Sequence, residues 1–104
     1  MKLITEAIWK RLPALGDTDG CEDAAITVHA KLFTPDANCT WYITEGDRAS
    51  GRLFGLCDLG LGFPEIGYVM LSEIERVRGR MRLPVERDLH WEGTLADAWQ
   101  EVRR

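Results

Sequence analysis

The hydrophobic and polar positions of this chain alternate most cleanly in Cys39-Thr40-Trp41-Tyr42-Ile43-Thr44-Glu45, a run built almost wholly of β-branched and aromatic residues. That pattern predicts a strand at the centre of a sheet. Successive strand residues point to opposite faces, so Cys39, Trp41 and Ile43 face one side and Thr40, Tyr42 and Thr44 the other. The first side predicts a core with Trp41 largely buried, and the second an amphipathic face. Ala25 to Phe33 alternates as well, with Ile26, Val28, Ala30 and Leu32 inward and Thr27, His29 and Lys31 on the other face. Thr34-Pro35-Asp36-Ala37-Asn38 supplies turn chemistry between the two runs, which predicts an antiparallel hairpin.

The remaining pattern is shorter in period or more broken. Thr5 can cap a helix over Glu6 to Leu12, with Ile4, Ile8 and Leu12 on one face, Trp9 as a lid beside them and Pro13 as the stop. Gly46 to Gly51 reads as a polar turn, Arg52 to Leu59 as a third strand whose Gly55 allows a bend or close backbone approach, and Ile66 to Met70 as a fourth. Ser72 and Glu75 carry the spacing of a capping box, predicting a helix that runs to about Arg78 and stops at Gly79. Pro84 forbids a central strand nearby, leaving Arg87 to Trp91 as an edge strand. Thr94 caps a terminal helix with a stripe of Leu95, Ala98, Trp99 and Val102. The expected fold is α+β: an antiparallel sheet of four to five strands flanked by two to three short helices.

At 104 residues the chain has room for a single domain, residues 1–104. Its 45% hydrophobic and 29% charged residues match an ordinary folded protein and not a disordered one. The net charge of −4 argues against broad electrostatic binding to nucleic acid and favours a basic partner. With no apolar run long enough for a leader or a membrane span, the expected location is the cytoplasm. The three cysteines, Cys21, Cys39 and Cys57, are widely spaced with no C-x-x-C, and read as buried or inert thiols in a reducing compartment. No sustained heptad is visible, which favours a monomer.

Familiar catalytic signatures are missing: there is no G-x-S-x-G, H-E-x-x-H, Walker loop or dinucleotide G-x-G-x-x-G. Gly60-Leu61-Gly62 fails the last because Phe63-Pro64 follows it. The acidic loop of Asp17, Asp19, Glu22 and Asp23 invites calcium, but the D-x-[DN]-x-[DN]-G spacing is missing and a solvated loop is the better reading. No His/Cys pair lies at close ligand spacing, and a thiol of Cys39 or Cys57 activated by His29 is disfavoured by their opposite sheet faces. The sequence thus predicts neither cofactor nor metal.

Three features read as binding surface. Carboxylates cluster at Asp17 to Asp23 and at Glu45 with Asp47, both assigned to loops where they are free to meet a basic partner. The second sheet face joins aromatic bodies to polar tips at His29, Tyr42 and Thr44, with Phe54 or Tyr68 beside them, unless the terminal helix covers it. Arg76, Arg78, Arg80 and Arg82 at every second position form a cationic edge, with Glu73, Glu75, Glu86 and Asp88 near enough in sequence to make it a solvated ion-pair edge.

Met1-Lys2-Leu3-Ile4-Thr5, Phe33-Thr34-Pro35-Asp36, Thr40-Trp41-Tyr42-Ile43-Thr44-Glu45, Gly67-Tyr68, Leu71-Ser72-Glu73-Ile74-Glu75, Arg78-Gly79 and Leu83-Pro84-Val85-Glu86-Arg87-Asp88 carry a resemblance over nearly the whole chain. It resembles a bacterial family of unknown function found on plasmids, conjugative elements and phages, some members of which are anti-CRISPR proteins acting on type II Cas9. The resemblance implies a small anti-defence protein that binds Cas9 or its guide complex and blocks DNA loading or cleavage. It supplies no catalytic residues, and Arg80-Met81-Arg82 is more basic than the pattern it resembles. The alternatives are a small hydrolase with a site assembled across the sheet, and a DNA-binding regulatory module of a mobile element using the arginine edge.

Overall fold

Three adjacent segments, each rich in β-branched, aromatic or aliphatic residues, build the centre of the molecule. The computed structural model describes residues 1–103. Strands β2 (Ala30–Phe33), β3 (Thr40–Asp47), β4 (Arg52–Asp58), β5 (Glu65–Met70) and β6 (Glu86–Arg87) form one sheet in the order β5-β4-β3-β2-β6, every neighbour antiparallel. Strands β1 (Thr27–Val28) and β7 (Gly93–Thr94) form a separate two-stranded ladder. Helices α1 (Glu6–Arg11), α2 (Leu71–Arg76) and α3 (Leu95–Val102) flank them. This is the α+β architecture expected from the pattern.

Each face of the sheet carries its own hydrophobic layer. Leu32, Trp41, Ile43 and Leu53 project to one side, where Ile4, Ile8, Ile74 and Val85 complete the layer. Tyr42 and Leu56 project to the other, against Ile26, Val28, Leu95 and Ala98. Helix α3 therefore covers the second face around Tyr42. The run from Ala25 to Phe33 is divided at His29, so Ile26 and Val28 serve the α3 layer while Ala30 and Leu32 serve the α1 layer. One unbroken strand would have sent all four to one side.

Local signals explain most boundaries. The Thr5 hydroxyl accepts from the Ile8 N–H at 3.2 Å and starts α1. Thr94 and Asp97 form a reciprocal capping box at α3. The box expected at Ser72 and Glu75 does not form. Helix α2 begins two residues earlier, straight from β5 with Met70 in the cap position and the Leu71 N–H bonded to the Gly51 carbonyl at 2.9 Å, and ends at Arg76. Arg78 lies beyond that end and donates its guanidinium to the carbonyls of Glu75 and Val77, both acceptors released by the helix terminus.

A bulge in β3 shapes everything near Glu45. Ile43 pairs with Gly55, yet Glu45 pairs with Phe54, so Thr44 is the extra residue. Glu45 is thereby moved off the side of Trp41 and Ile43. Beside the bulge, a Cβ on Gly55 would strike the Tyr42 carbonyl, so only glycine allows β4 this close to β3.

Candidate interaction surface

Glu45 belongs to β3 and is 1% exposed, a correction to its assignment to a free loop. Its carboxylate holds the acidic loop instead. One oxygen accepts from the Gly16 N–H at 2.7 Å and the other from the Thr18 N–H at 2.9 Å and the Thr18 hydroxyl. Burial opposes its ionisation, but these donors outweigh burial and hold its pKa below the usual glutamate value. Asp17, Asp19, Glu22 and Asp23 are exposed around this anchor, and Asp17 also accepts from the Ala14 N–H at 3.1 Å. Asp47 ends β3 and accepts from the Ser50 hydroxyl at 2.6 Å, which lowers its pKa.

Tyr42 is 2% exposed and so is not available to a partner, because α3 packs over it. Its hydroxyl donates to Glu101 Oε1 at 2.8 Å, and the Trp91 indole N–H donates to Glu101 Oε2 at 2.6 Å. Lys31 pairs with the same carboxylate, its ammonium lying 5.6 Å from the Tyr42 ring centre and 5.5 Å from that of Trp91. Burial opposes ionisation of Glu101, yet bonds from Lys31, Tyr42 and Trp91 lower its pKa. The face holding Tyr42 is thus a polar fastening for α3.

His29 is half-buried at the division between β1 and β2, in a cleft of about 520 Å³ also lined by Arg11, Lys31, Asp88 and Trp91. Burial, with the nearby Arg11 charge, lowers its pKa. Burial pushes the Cys57 thiol up to about 11, the opposite of what an activated nucleophile needs. Among the described residues, no cluster of three or more His, Cys, Asp or Glu side chains gathers as for a metal ion, and no helix is long and apolar enough to cross a membrane.

Ion pairs among the described residues join Lys31 to Asp88 and Glu101, and Arg48 to Glu6. Arg76, Arg78, Arg80 and Arg82 are exposed and take part in none of them, so the expected ion-pair edge is instead an unpaired one. Their loop is nonetheless built. Asp36 Oδ2 accepts from the Met81 N–H at 2.6 Å, the Arg82 N–H bonds to the Gly79 carbonyl at 3.0 Å, and Arg82 takes a left-handed φ of 58°. A Cβ on Gly79 would collide with the Asp36 carboxylate.

Sequence reasoning missed the hairpin that joins β4 to β5. Leu61 is 74% and Phe63 79% exposed, and Tyr68 on the adjoining strand is 55% exposed. The available signal was Leu59-Gly60-Leu61-Gly62-Phe63, apolar residues interleaved with glycines, of which Gly60-Leu61-Gly62 was weighed as a dinucleotide loop.

The comparison with protein families covers nearly all of this architecture: a family described as Protein of unknown function (DUF2958) matches residues 3–101. The chain belongs to the DUF2958 family. The match takes in the acidic loop, the bulged β3, the arginine loop and most of α3, so all of these surfaces lie within the DUF2958 region. No curated protein and no solved structure matches the chain.

Proposed function

We propose that this DUF2958 protein is an anti-defence binding protein, carried by mobile elements, that engages a bacterial effector such as Cas9 or its guide complex and blocks DNA loading or cleavage. The observation that carries this reading is the fastening of the acidic loop by Glu45. Three donors on Gly16 and Thr18 converge on one buried carboxylate, and the exposed Asp17, Asp19, Glu22 and Asp23 are displayed on a loop so anchored. Effectors that hold nucleic acid do so in channels rich in lysine and arginine. Pre-positioned carboxylates compete for such a channel with less ordering cost than a free loop. The family resemblance supplies the identity of the effector, and the net charge of −4 agrees with a basic partner.

The test is inhibition of Cas9 cleavage by purified protein, with pull-down against the effector with and without guide RNA. Inhibition that saturates near one protein per effector and does not grow with time supports a binder; inhibition that accumulates at trace protein supports the hydrolase alternative. One observation favours a second reading, the DNA-binding module: the four arginines of the Arg76–Arg82 segment are free of ion pairs among the described residues. A salt-sensitive DNA gel shift abolished by Arg78→Ala with Arg80→Ala would establish it.

A further inference from the structure

We propose that the outer edge of β5 is a docking strand, which accepts an extended segment of a partner protein, apolar at its centre and basic at its flanks, as an added strand of the sheet. The inference rests on the reading of this protein as a binder of basic partners and names the surface used.

Strand β5 pairs with β4 in unbroken register from Glu65 opposite Cys57 to Met70 opposite Arg52, while its other side has no neighbour in the sheet. Natural edge strands are guarded by lysine, internal proline, bulges or short length. Six residues long, Glu-Ile-Gly-Tyr-Val-Met, β5 carries none of these guards, and its single charge, Glu65, sits at its first residue. The opposite edge is different. Strand β6 is two residues long, and its Arg87 is tied back to the N-terminal segment through Met1 and the Leu3 carbonyl.

The side chains at the open edge match the backbone. Ile66 is 39% and Tyr68 55% exposed, and the hairpin feeding β5 holds out Leu59, Leu61 and Phe63 at 52%, 74% and 79%. Exposed apolar side chains concentrated on one strand and the hairpin that feeds it fit an interaction site. Strand addition then supplies main-chain hydrogen bonds, with side chains alternating into the flanking surface for specificity.

Charge selects the occupant. Glu65 stands at one end of the edge, and Asp58, the last residue of β4, lies one position beyond its partner Cys57. At the other, Asp47 and Glu73 line a groove of about 480 Å³ with Leu15, Tyr68 and Met70. Leu15 stands two positions before Asp17 of the acidic loop. Arg52 lines the same groove, and its guanidinium lies over the Tyr68 ring, 4.4 Å from the ring centre. A second copy of this chain would bring carboxylates against carboxylates. A strand with basic flanks is complementary at both ends.

The test is an amide NMR titration of labelled protein with two synthetic peptides that share an alternating valine-threonine core, one flanked by lysine pairs and one by glutamate pairs. The lysine peptide is expected to shift the amides of Glu65–Met70 and slow their exchange, and to bind at least tenfold tighter than the glutamate peptide. Ile66→Lys with Tyr68→Lys should abolish the response while leaving distant amides in place; Tyr68→Ala, a milder change, should weaken it if the double variant fails to fold. Shifts confined to the His29 cleft, no shift with either peptide, or a β5-mediated dimer in sedimentation that Ile66→Lys dissolves would each overturn the proposal. So would undiminished Cas9 inhibition by the folded double variant, an outcome that leaves the inhibitor reading intact. Peptide binding at β5 by a protein that does not inhibit Cas9 upholds the docking strand and removes the inhibitor reading instead.

Discussion

The carboxylate of Glu45 and the main chain and hydroxyl of Thr18, 27 positions apart in sequence, meet through two hydrogen bonds on a single oxygen. Glu45→Gln keeps the shape but turns an amide group toward N–H donors, which leaves buried groups unpaired at a cost of about 1–3 kcal/mol. Because the folded pKa of Glu45 lies below its unfolded value, its contribution is complete above about pH 4.3 and fades as pH falls through the folded value. Urea melts from pH 7 to pH 3 should show wild type losing stability over that acid range, with the Gln variant weaker at neutral pH and its acid slope shallower.

The exposed carboxylates around that anchor behave differently. Replacing Asp17, Asp19, Glu22 and Asp23 together by Asn or Gln removes mutual repulsion on a solvated loop, so the melting temperature should stay within a few degrees or rise slightly. Binding to a basic partner should weaken chiefly through the association rate, and more at low salt, as read by stopped-flow or surface measurements. Undiminished inhibition by the folded quadruple variant would remove this loop from the contact surface.

Trp41 is 3% exposed in the layer beneath α1, and Trp41→Ala should cost about 3–5 kcal/mol. That is a large share of a typical stability of about 5–15 kcal/mol, so a melting temperature unchanged by the substitution would contradict the packing described.

Gly79→Ala should destabilise by about 0.5–3 kcal/mol, since its methyl group must displace the Asp36 side chain that accepts from Met81. Shortening the acceptor with Asp36→Ala in the same chain should remove the collision, and the double variant should then lose less than the sum of the two singles. Strict additivity in thermal melts would show that Gly79 and Asp36 do not interact.

His29 should titrate below the ordinary histidine value of about 6.5 when followed by NMR. Arg11→Ala should raise its pKa only part of the way back, since burial is the larger cause. A His29 titration above 6.5 in the wild type would mean that a carboxylate of the cleft such as Asp88, and not burial or Arg11, governs the imidazole.

The elements legible from sequence were those governed by short-range chemistry. The alternation over Cys39 to Ile43, the Thr5 cap and the Thr94 cap each depend on residues within a turn or two, and all appear in the fold. The capping box at Ser72 failed because β5 runs straight into the helix, with the Leu71 N–H held by the distant Gly51 carbonyl, so that Ser72 lies inside the first turn and not at its cap. Glu45 was misplaced because a bulge leaves no mark in the pattern until the register of the neighbouring strand is known. Tyr42 was undecided from alternation alone; what covers its face lies in α3, with Glu101 as the polar partner that a stripe of Leu95, Ala98, Trp99 and Val102 does not announce. The arginine run was visible, but its isolation from nearby carboxylates is set by the turn that Asp36 holds, 45 positions upstream of Met81.

The contact between Lys31 and Glu101 spans 70 positions, which imposes an order of assembly on the chain. Hairpins β2–β3 and β3–β4 close over short stretches, whereas the α3 layer must wait for a long loop to close and for the segment following every strand to arrive. During synthesis on the ribosome, the sheet can therefore pair while Tyr42 and Leu56 still face water. Helix α3 then closes over the Tyr42 and Leu56 face only once every strand of the sheet has been made.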